Sequence, residues 1–258
     1  MHVLCLDSNN TKRSLPQYQK ANDFGLVDAS FYGDWGNALL NAEQPTEAIV
    51  KYQMAIAQKT NLNWIYGGWG MALSQLEQYE EAISQYKKAL ELGATWVYSE
   101  LAKAIIQLGP YDETAIKALG LEPANKLYYE LGKVLTTQRQ YKEAMTQYQK
   151  ALTLKPEHVW SQIRLAQVFT QINQFDKALS LCQQALNSTT SNTAQAGANA
   201  ICGLAQIGLN QLETAIESCQ TAVQLYKRED WSYWCLGDVL LHKKNGRKQQ
   251  PNMNKPSN

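Results

Sequence analysis

The residue types that most often carry chemistry are few in this chain and do not converge. Its three histidines, His2, His158 and His242, lie near the chain ends or between repeated segments, and none stands beside a recurring cysteine, serine or carboxylate. An enzyme needs a positioned acid, base, nucleophile, metal or cofactor. The sequence therefore predicts no catalytic residues, no metal site, no cofactor and no enzymatic activity.

The five cysteines are a second candidate for chemistry, but they have no close paired spacing. We interpret them as reduced, small apolar residues of a cytoplasmic protein, and a disulfide or metal set is the alternative. They are Cys5, Cys182, Cys202, Cys219 and Cys235.

The glycine run at residues 67–70, with the sequence GGWG, has the composition of a phosphate-binding loop. It follows no predicted strand, and a phosphate-binding loop of this kind needs one. Its last glycine, Gly70, recurs as a small residue in the repeats of this chain, so we interpret it as a packing residue.

Residues 63–94 are the stretch around which the chain is organised. Tyr66, Gly70 and Leu73 lie on one helical face and predict a first helix. A polar turn at 77–79 separates it from a second helix that also has one apolar face. A pair of helices of this size cannot bury both faces alone, so it needs similar pairs on either side.

The chain supplies seven such copies, and the last has only its first helix. A small residue occupies place eight of every copy, alanines occupy places twenty and twenty-seven of five copies, and a tyrosine or a cysteine occupies place twenty-four of those five. Small residues let helix axes approach to about 8–10 Å, and a ring fills the space that they leave. The copies start near Ala29, Asn63, Thr95, Asn125, Val159, Ala196 and Asp230.

This pattern resembles the tetratricopeptide repeat, a helix-turn-helix unit with a period of about 34 residues. The resemblance covers roughly residues 29–241. It implies an all-α fold, a right-handed α-solenoid of about six and a half repeats. The predicted domains are an irregular N-terminal segment (1–28), the repeat array (29–241) and a basic disordered tail (242–258).

Three segments depart from the regular template. Residues 8–11 are predicted to be a loop, with Pro16 interrupting the weak segment that follows. The N-terminal segment is either an irregular cap over the first repeat or mobile. The second helix of the third repeat, at 112–123, is about one turn short, so we expect a local change of superhelical curvature. Residues 187–197 are rich in Ser, Thr and Asn, which predicts a loop there.

Four tryptophans share place two of their repeats: Trp64, Trp96, Trp160 and Trp231. At roughly 100° per residue, this place points away from the packed face of the first helix. In the resembled family that side lines the concave groove, where an exposed aromatic ladder would bind a partner. The alternative is that the rings pack against the second helix of the preceding repeat and seal the junction. The predicted groove set also contains Met71, Lys103, Tyr129, Lys133, Arg164, Gln167 and Trp234.

Charge and hydropathy narrow the classes of partner. The formal net charge is +1, from 24 basic and 23 acidic residues, which argues against a whole-protein attraction to nucleic acid or membranes. No apolar run is long enough to span a bilayer, and the first residues do not resemble a signal peptide, so we expect a cytoplasmic protein. Lys103, Lys133 and Arg164 favour an acidic or carboxylate-bearing ligand, with plain solvated helix surface as the alternative.

The sequence thus predicts a non-enzymatic interaction scaffold that binds a peptide or protein segment in its concave groove. An alternative comes from residues 230–240, which resemble repeats of bacterial proteins that join such arrays to glycosyl-, methyl- or sulfotransferase domains. The chain would then be the substrate- or partner-recruiting portion of a larger or operon-linked transferase system. Self-association through the ends of the array is a third hypothesis.

Overall fold

The computed structural model of the chain describes residues 8–25, 27–58, 61–109, 116–117, 119–120, 124–227 and 230–249. Every regular element within these ranges is a helix. The backbone forms two compact bodies, an N-terminal half (Met1–Pro123) and a C-terminal half (Ala124–Asn258).

In the N-terminal half, α2 packs on α3 and α4 packs on α5, and each second helix also contacts the first helix of the next pair. A short 3-10 turn at Thr95–Val97 leads into α6. The helices are α1 (Ser8–Asp23), α2 (Ala29–Asn41), α3 (Pro45–Ala57), α4 (Asn63–Gln75), α5 (Tyr79–Glu91) and α6 (Tyr98–Leu108).

The C-terminal half continues the same arrangement of hairpins, and its last helix packs on the two helices before it. The helices are α7 (Asn125–Thr137), α8 (Tyr141–Leu154), α9 (Val159–Gln171), α10 (Phe175–Asn187), α11 (Asn192–Gly208), α12 (Leu212–Leu225) and α13 (Asp230–Gln249).

The turn inside each complete hairpin reverses the chain with one residue in the left-handed region, at place fifteen of the repeat. None of these residues is glycine, and φ lies between 59° and 61° at each of them. Asparagine tolerates this conformation better than other non-glycine residues, and the long charged side chains at three of the turns are less suited to it. The residues are Glu43, Glu77, Arg139, Asn173 and Asn210.

The hairpins are closed by tyrosine rings that lie in slots made by glycine. Tyr52, Tyr86 and Tyr148 are fully buried, and each ring lies where a side chain on the first helix of its own hairpin would stand. The glycines are Gly36, Gly70 and Gly132. The alanines at places twenty and twenty-seven are also fully buried. The prediction of an all-α repeat solenoid is confirmed.

The N-terminal segment is not irregular between residues 8 and 23, because α1 spans them with Pro16 inside the helix. The loop expected at 8–11 is wrong. Tertiary packing overrides the weak local signal, since the Tyr18 ring lies 5.5 Å from the Phe31 ring and 6.1 Å from the Trp35 ring, centroid to centroid. Helix α1 thereby covers the first hairpin.

Two other segments are more helical than expected. Of residues 187–197, only 188–191 lie outside helices, because α11 begins at Asn192. Ala194 and Ala198 are buried there and let this helix pack against α10, which offsets the poor helix propensity of its neighbours. Residues 242–249 of the expected disordered tail belong to α13. The shortened second helix expected at 112–123 lies largely outside the described residues.

The interpretation of the cysteines as reduced is wrong for four of the five. Cys182 is bonded to Cys202, with their Cα atoms 5.6 Å apart, and Cys219 is bonded to Cys235, with their Cα atoms 5.5 Å apart. Each bond joins the second helix of one repeat to the first helix of the next. Disulfides are typical of oxidising compartments, so they weigh against the predicted cytoplasmic location, which stays a prediction.

Cys182 and Cys219 occupy place twenty-four, where tyrosine stands in the regular repeats. The Cys219 and Cys235 sulfurs lie where a side chain on Gly203 would stand, just as the tyrosine rings lie over their glycines. In the last two complete repeats a disulfide therefore replaces the buried ring.

Among the described residues, each helix is too short or too polar to cross a bilayer.

Candidate functional site

The tryptophans at place two rest on glycines of a neighbouring first helix. A Cβ atom added to Gly33 of α2 would overlap the Trp64 ring, and one added to Gly67 of α4 would lie 2.5 Å from Cη2 of Trp96. Trp64 is partly buried, whereas Trp96 remains 49% exposed. The alternative considered from the sequence was that the rings pack against the second helix of the preceding repeat. At these glycines the rings instead contact the first helix of the preceding repeat.

The glycine run in α4 is explained by three rings that approach one helix from different elements. Gly67 makes room for Trp96, Gly68 for Tyr52 and Gly70 for Tyr86. Each ring lies so close that a side chain at its glycine would overlap it. The run is therefore a packing device, in agreement with the interpretation of Gly70 from the sequence.

We expect Gly67→Ala and Gly70→Ala to have different effects although they make the same change in the same helix. At Gly70 the Tyr86 ring is fully buried and cannot move aside, so overpacking of about 1–3 kcal/mol outweighs the gain in helix propensity of about 1 kcal/mol. At Gly67 the added methyl would push the Trp96 ring out of this contact and toward solvent, to which 49% of the residue is already open, so the overpacking cost is smaller and the two contributions nearly cancel. Urea unfolding of both variants measures the difference, and equal losses of stability would contradict this account.

In the C-terminal half, partly buried aromatic side chains lie along α7 and α9. The Tyr129 ring meets the His158 ring edge-on with centroids 5.2 Å apart, and Lys133 Nζ lies 5.5 Å from the Tyr129 centroid. The Trp160 ring lies 3.5 Å from the position of a Cβ atom on Gly197 of α11. Here the glycine belongs to the following first helix rather than the preceding one.

His158 has a serine partner that the sequence analysis did not identify. Its Nδ1 lies 2.7 Å from Oγ of Ser161 in the first turn of α9. Burial, and then Lys155, lower the pKa of His158 below its ordinary value, so the imidazole is neutral at pH 7. Ser161 is fully buried, so its hydroxyl does not meet a substrate. The pair joins the N-cap residue to the first turn of α9 and is not placed to act as nucleophile and base.

The lysines of the predicted groove set are paired on their own helices. Lys103 Nζ lies 2.9 Å from Glu100 Oε1, and Lys133 Nζ lies 2.7 Å from Glu130 Oε2. Exposed pairs of this kind add little stability, but they largely cancel the local charge. The net charge that would attract an acidic ligand is therefore small at these two positions, and the preference for such a ligand stays a prediction.

The remaining predicted residues are spread over several helices. Arg164 donates from Nη1 to Gln167 Oε1 at 3.1 Å, within α9. Met71 is partly buried in α4 against the core of the first hairpins. Trp234 lies on α13 and is 57% exposed. The side chain of Trp231 lies outside the described residues.

The structure thus places the predicted site residues in two separate sets. Trp64, Met71, Trp96 and Lys103 belong to the N-terminal half, and the others belong to the C-terminal half. The sequence analysis did not identify the glycines that contact the rings. A signal for them is present, because each of the first two repeats has a glycine at place five and the repeat that follows it has a tryptophan at place two. Within the described residues, no group of three or more His, Cys, Asp or Glu side chains could hold a metal ion.

Models of the tetratricopeptide repeat match two parts of the chain, residues 65–92 and residues 135–201. No curated protein matches the chain by sequence.

Solved structures of similar fold include yeast Tom70, which is 15% identical with a TM-score of 0.54, over 95% of this chain and 61% of that one. The Cut9–Hcn1 structure of the APC/C is 17% identical with a TM-score of 0.47, over 93% of this chain and 49% of that one. YrrB, described as a TPR protein with an unusual peptide-binding site, is 21% identical with a TM-score of 0.42, over 88% of this chain and 97% of that one. The chain spans about half of the length of the Cut9–Hcn1 chain. At 15% identity, the likeness to Tom70 shows the fold alone.

Proposed function

Since this chain is a tetratricopeptide repeat protein, we propose that it is a non-enzymatic interaction module that binds a segment of another protein on the exposed side of its first helices. The observation that carries the proposal is the state of Trp96. One edge of its ring is fixed against Gly67, while 49% of the residue is open to solvent.

A ring held in this way is suited to binding because its conformation is already chosen. A flexible side chain loses rotamer freedom when it binds, at a cost of about 0.5–1.5 kcal/mol, and the contact with Gly67 already restricts Trp96 before a ligand arrives. Tryptophan is also among the residues that contribute most to protein interfaces, because it buries a large apolar area. Trp64, one repeat earlier, offers a second but more buried ring on the same side of its helix pair.

The charges around the rings indicate what kind of segment is selected. Because Lys103 and Lys133 are paired with glutamates one turn earlier, the surface near them is close to neutral. We therefore expect an apolar side chain of the ligand to lie against Trp96, and we expect ligand charge to have a smaller effect. The predicted preference for acidic ligands would require the ligand to displace Glu100 or Glu130.

The test is selection from a library of random peptides displayed on phage, followed by calorimetric titration of the enriched peptides. We expect Trp96→Ala to raise the Kd of these peptides about tenfold or more. We expect Trp160→Ala to act in the same way on any peptide that binds the C-terminal half. Both variants should lower the unfolding free energy by less than they lower the binding free energy.

The matched control is Val50→Ala on α3, which truncates a side chain of similar exposure on a second helix. It should leave the Kd of every peptide unchanged. Peptides that bind Trp96→Ala and Trp160→Ala as tightly as the unchanged chain would contradict the proposal. So would a loss of binding that only follows the loss of folded protein.

The transferase-linked alternative stays a prediction from the sequence. If this alternative holds, the reading frame continues into a transferase domain or an adjacent gene encodes such a domain. Sequencing the native locus tests both possibilities.

A further inference from the structure

The last helix, α13, exposes an apolar stripe. Tyr233 and Trp234 are 51% and 57% exposed, and Leu240 and Leu241 are 52% and 60% exposed. At 100° per residue these four side chains and Gly237 fall within roughly 120° of the helix circumference, with Gly237 near the middle. We call these five residues the end face.

The opposite side of α13 holds the helix to the rest of the C-terminal half. Ser232, Cys235 and Val239 are fully buried there, and Cys235 is bonded to Cys219 of α12. The end face is therefore a fixed surface of the folded chain. It is not a side that could turn inward without breaking this packing.

Gly237 shows what the end face lacks. It stands at place eight of its repeat, and the glycines at that place in earlier repeats lie under a ring or a disulfide from a second helix. Within 4 Å of a Cβ atom on Gly237 there is nothing. The slot is present in the last repeat, and no described residue fills it.

We propose that the end face binds the same face of a second copy of this chain, with the two α13 helices antiparallel and crossing at Gly237. In that register Trp234 of each copy lies against Leu240 of the other, and Tyr233 lies against Leu241. The pairing is symmetric, as a two-fold interface requires. The glycines at the crossing allow the helix axes to approach closely.

The chemistry of the end face favours a second copy over a foreign partner. All five of its residues are uncharged, and Lys244, one turn beyond Leu240 in the same arc, is a single charge, so the face offers no pattern of charges that would select a different protein. At its border, His242 Nδ1 lies 3.0 Å from the backbone oxygen of Asp238 on the same helix. Large side chains flank a glycine on both sides along the helix, which makes the face complementary to itself.

The size of the end face sets the strength of the dimer. The exposed parts of its four large side chains amount to roughly 400–500 Å² per copy, or about 900 Å² for a pair. Stable interfaces bury about 1,200–2,000 Å², so this dimer is weak and reversible. It forms at high local concentration and dissociates on dilution.

The experiment is sedimentation equilibrium of the full chain without reductant, over a concentration series that reaches the millimolar range. We expect reversible dimers, and we expect Trp234→Ala to raise the dimer Kd about tenfold or more. Gly237→Leu is the sharper variant. It has open space in the monomer, so folding tolerates it, and it adds apolar surface while blocking the close approach of the helices.

Leu154→Ala on α8 is the control, because Leu154 is 55% exposed and lies on another helix. It should leave the dimer Kd unchanged. A chain that stays monomeric throughout the series would overturn the proposal. So would tighter association of Gly237→Leu, since that is the mark of unspecific apolar contact, or an equal weakening by Leu154→Ala. Circular dichroism of each variant confirms that its helices are intact.

Discussion

Reduction of the two disulfides will lower the unfolding free energy of the C-terminal half by up to about 6 kcal/mol. The bonds Cys182–Cys202 and Cys219–Cys235 close separate loops with sequence separations of 20 and 16 residues. Each such loop constrains the unfolded chain by about 3 kcal/mol, and the two contributions add because the loops do not overlap. Urea unfolding with and without dithiothreitol measures the loss, and hydrogen exchange should place it in α10 to α13.

Two controls accompany this experiment. Cys5→Ser removes the one cysteine outside both bonds and should leave the effect of dithiothreitol unchanged. Thiol titration of the denatured, unreduced chain should find one reactive cysteine of five. Five reactive thiols, or identical unfolding curves with and without reductant, would contradict the pairing.

Tyr52→Ala is expected to destabilise the first two hairpins by about 3–5 kcal/mol. The ring is fully buried between Gly36 of its own hairpin and Gly68 of the next, so its removal opens a cavity at the junction of two repeats. Glycines cannot fill that cavity, because they have no side chain to move into it. Unfolding of the variant in urea measures the effect.

Tyr52→Phe is the matched control, since it keeps the ring and removes only the hydroxyl. That hydroxyl donates to Oδ1 of Asn37 at 2.8 Å, and its loss should cost about 1 kcal/mol. Burial raises the pKa of Tyr52 above its ordinary value, so the hydroxyl stays neutral at any pH that the fold tolerates. Similar losses for the two variants would show that the hydrogen bond, rather than the ring, holds the junction.

The repeat could be predicted from the sequence because its signal is local and recurs. Ala48, Ala82 and Ala144 stand at one place of their repeats, and all three are fully buried in the structure. A pattern that must bury the same small residue at each repeat leaves few alternatives for the backbone. The fold class and the starts of most first helices follow from it.

Helices that depend on tertiary packing could not be predicted in this way. Helix α1 contains Pro16, and its contacts with Phe31 and Trp35 are made through Tyr18, which has no counterpart in the repeats. The tail after residue 241 is polar and basic, which favours disorder when it is considered alone. It continues an already anchored helix as far as Gln249, and the next helix-breaking residue in the sequence is Pro251.

The candidate site was only partly predictable, because its decisive partners lie one repeat away. The tryptophans are visible in the sequence. The contact that positions the Trp96 ring is made by Gly67, and from periodicity alone this residue is only a weak helix former. The disulfides were missed for a similar reason. Cys182 and Cys219 stand at the place of the tyrosine, and each partner is found only when the next repeat is stacked on it.

Because disulfides replace the buried tyrosines in the late repeats, the early and late repeats reach their final structure under different conditions. Tyr52, Tyr86 and Tyr148 fill their slots without further chemistry once the neighbouring helices have been synthesised, since a ring needs only to be packed. The pairs at Cys182 and Cys219 are complete only after an oxidant has removed two electrons from each. A chain that leaves the ribosome from its amino end therefore completes its early repeats without an oxidant, whereas its late repeats are completed only when an oxidant is present.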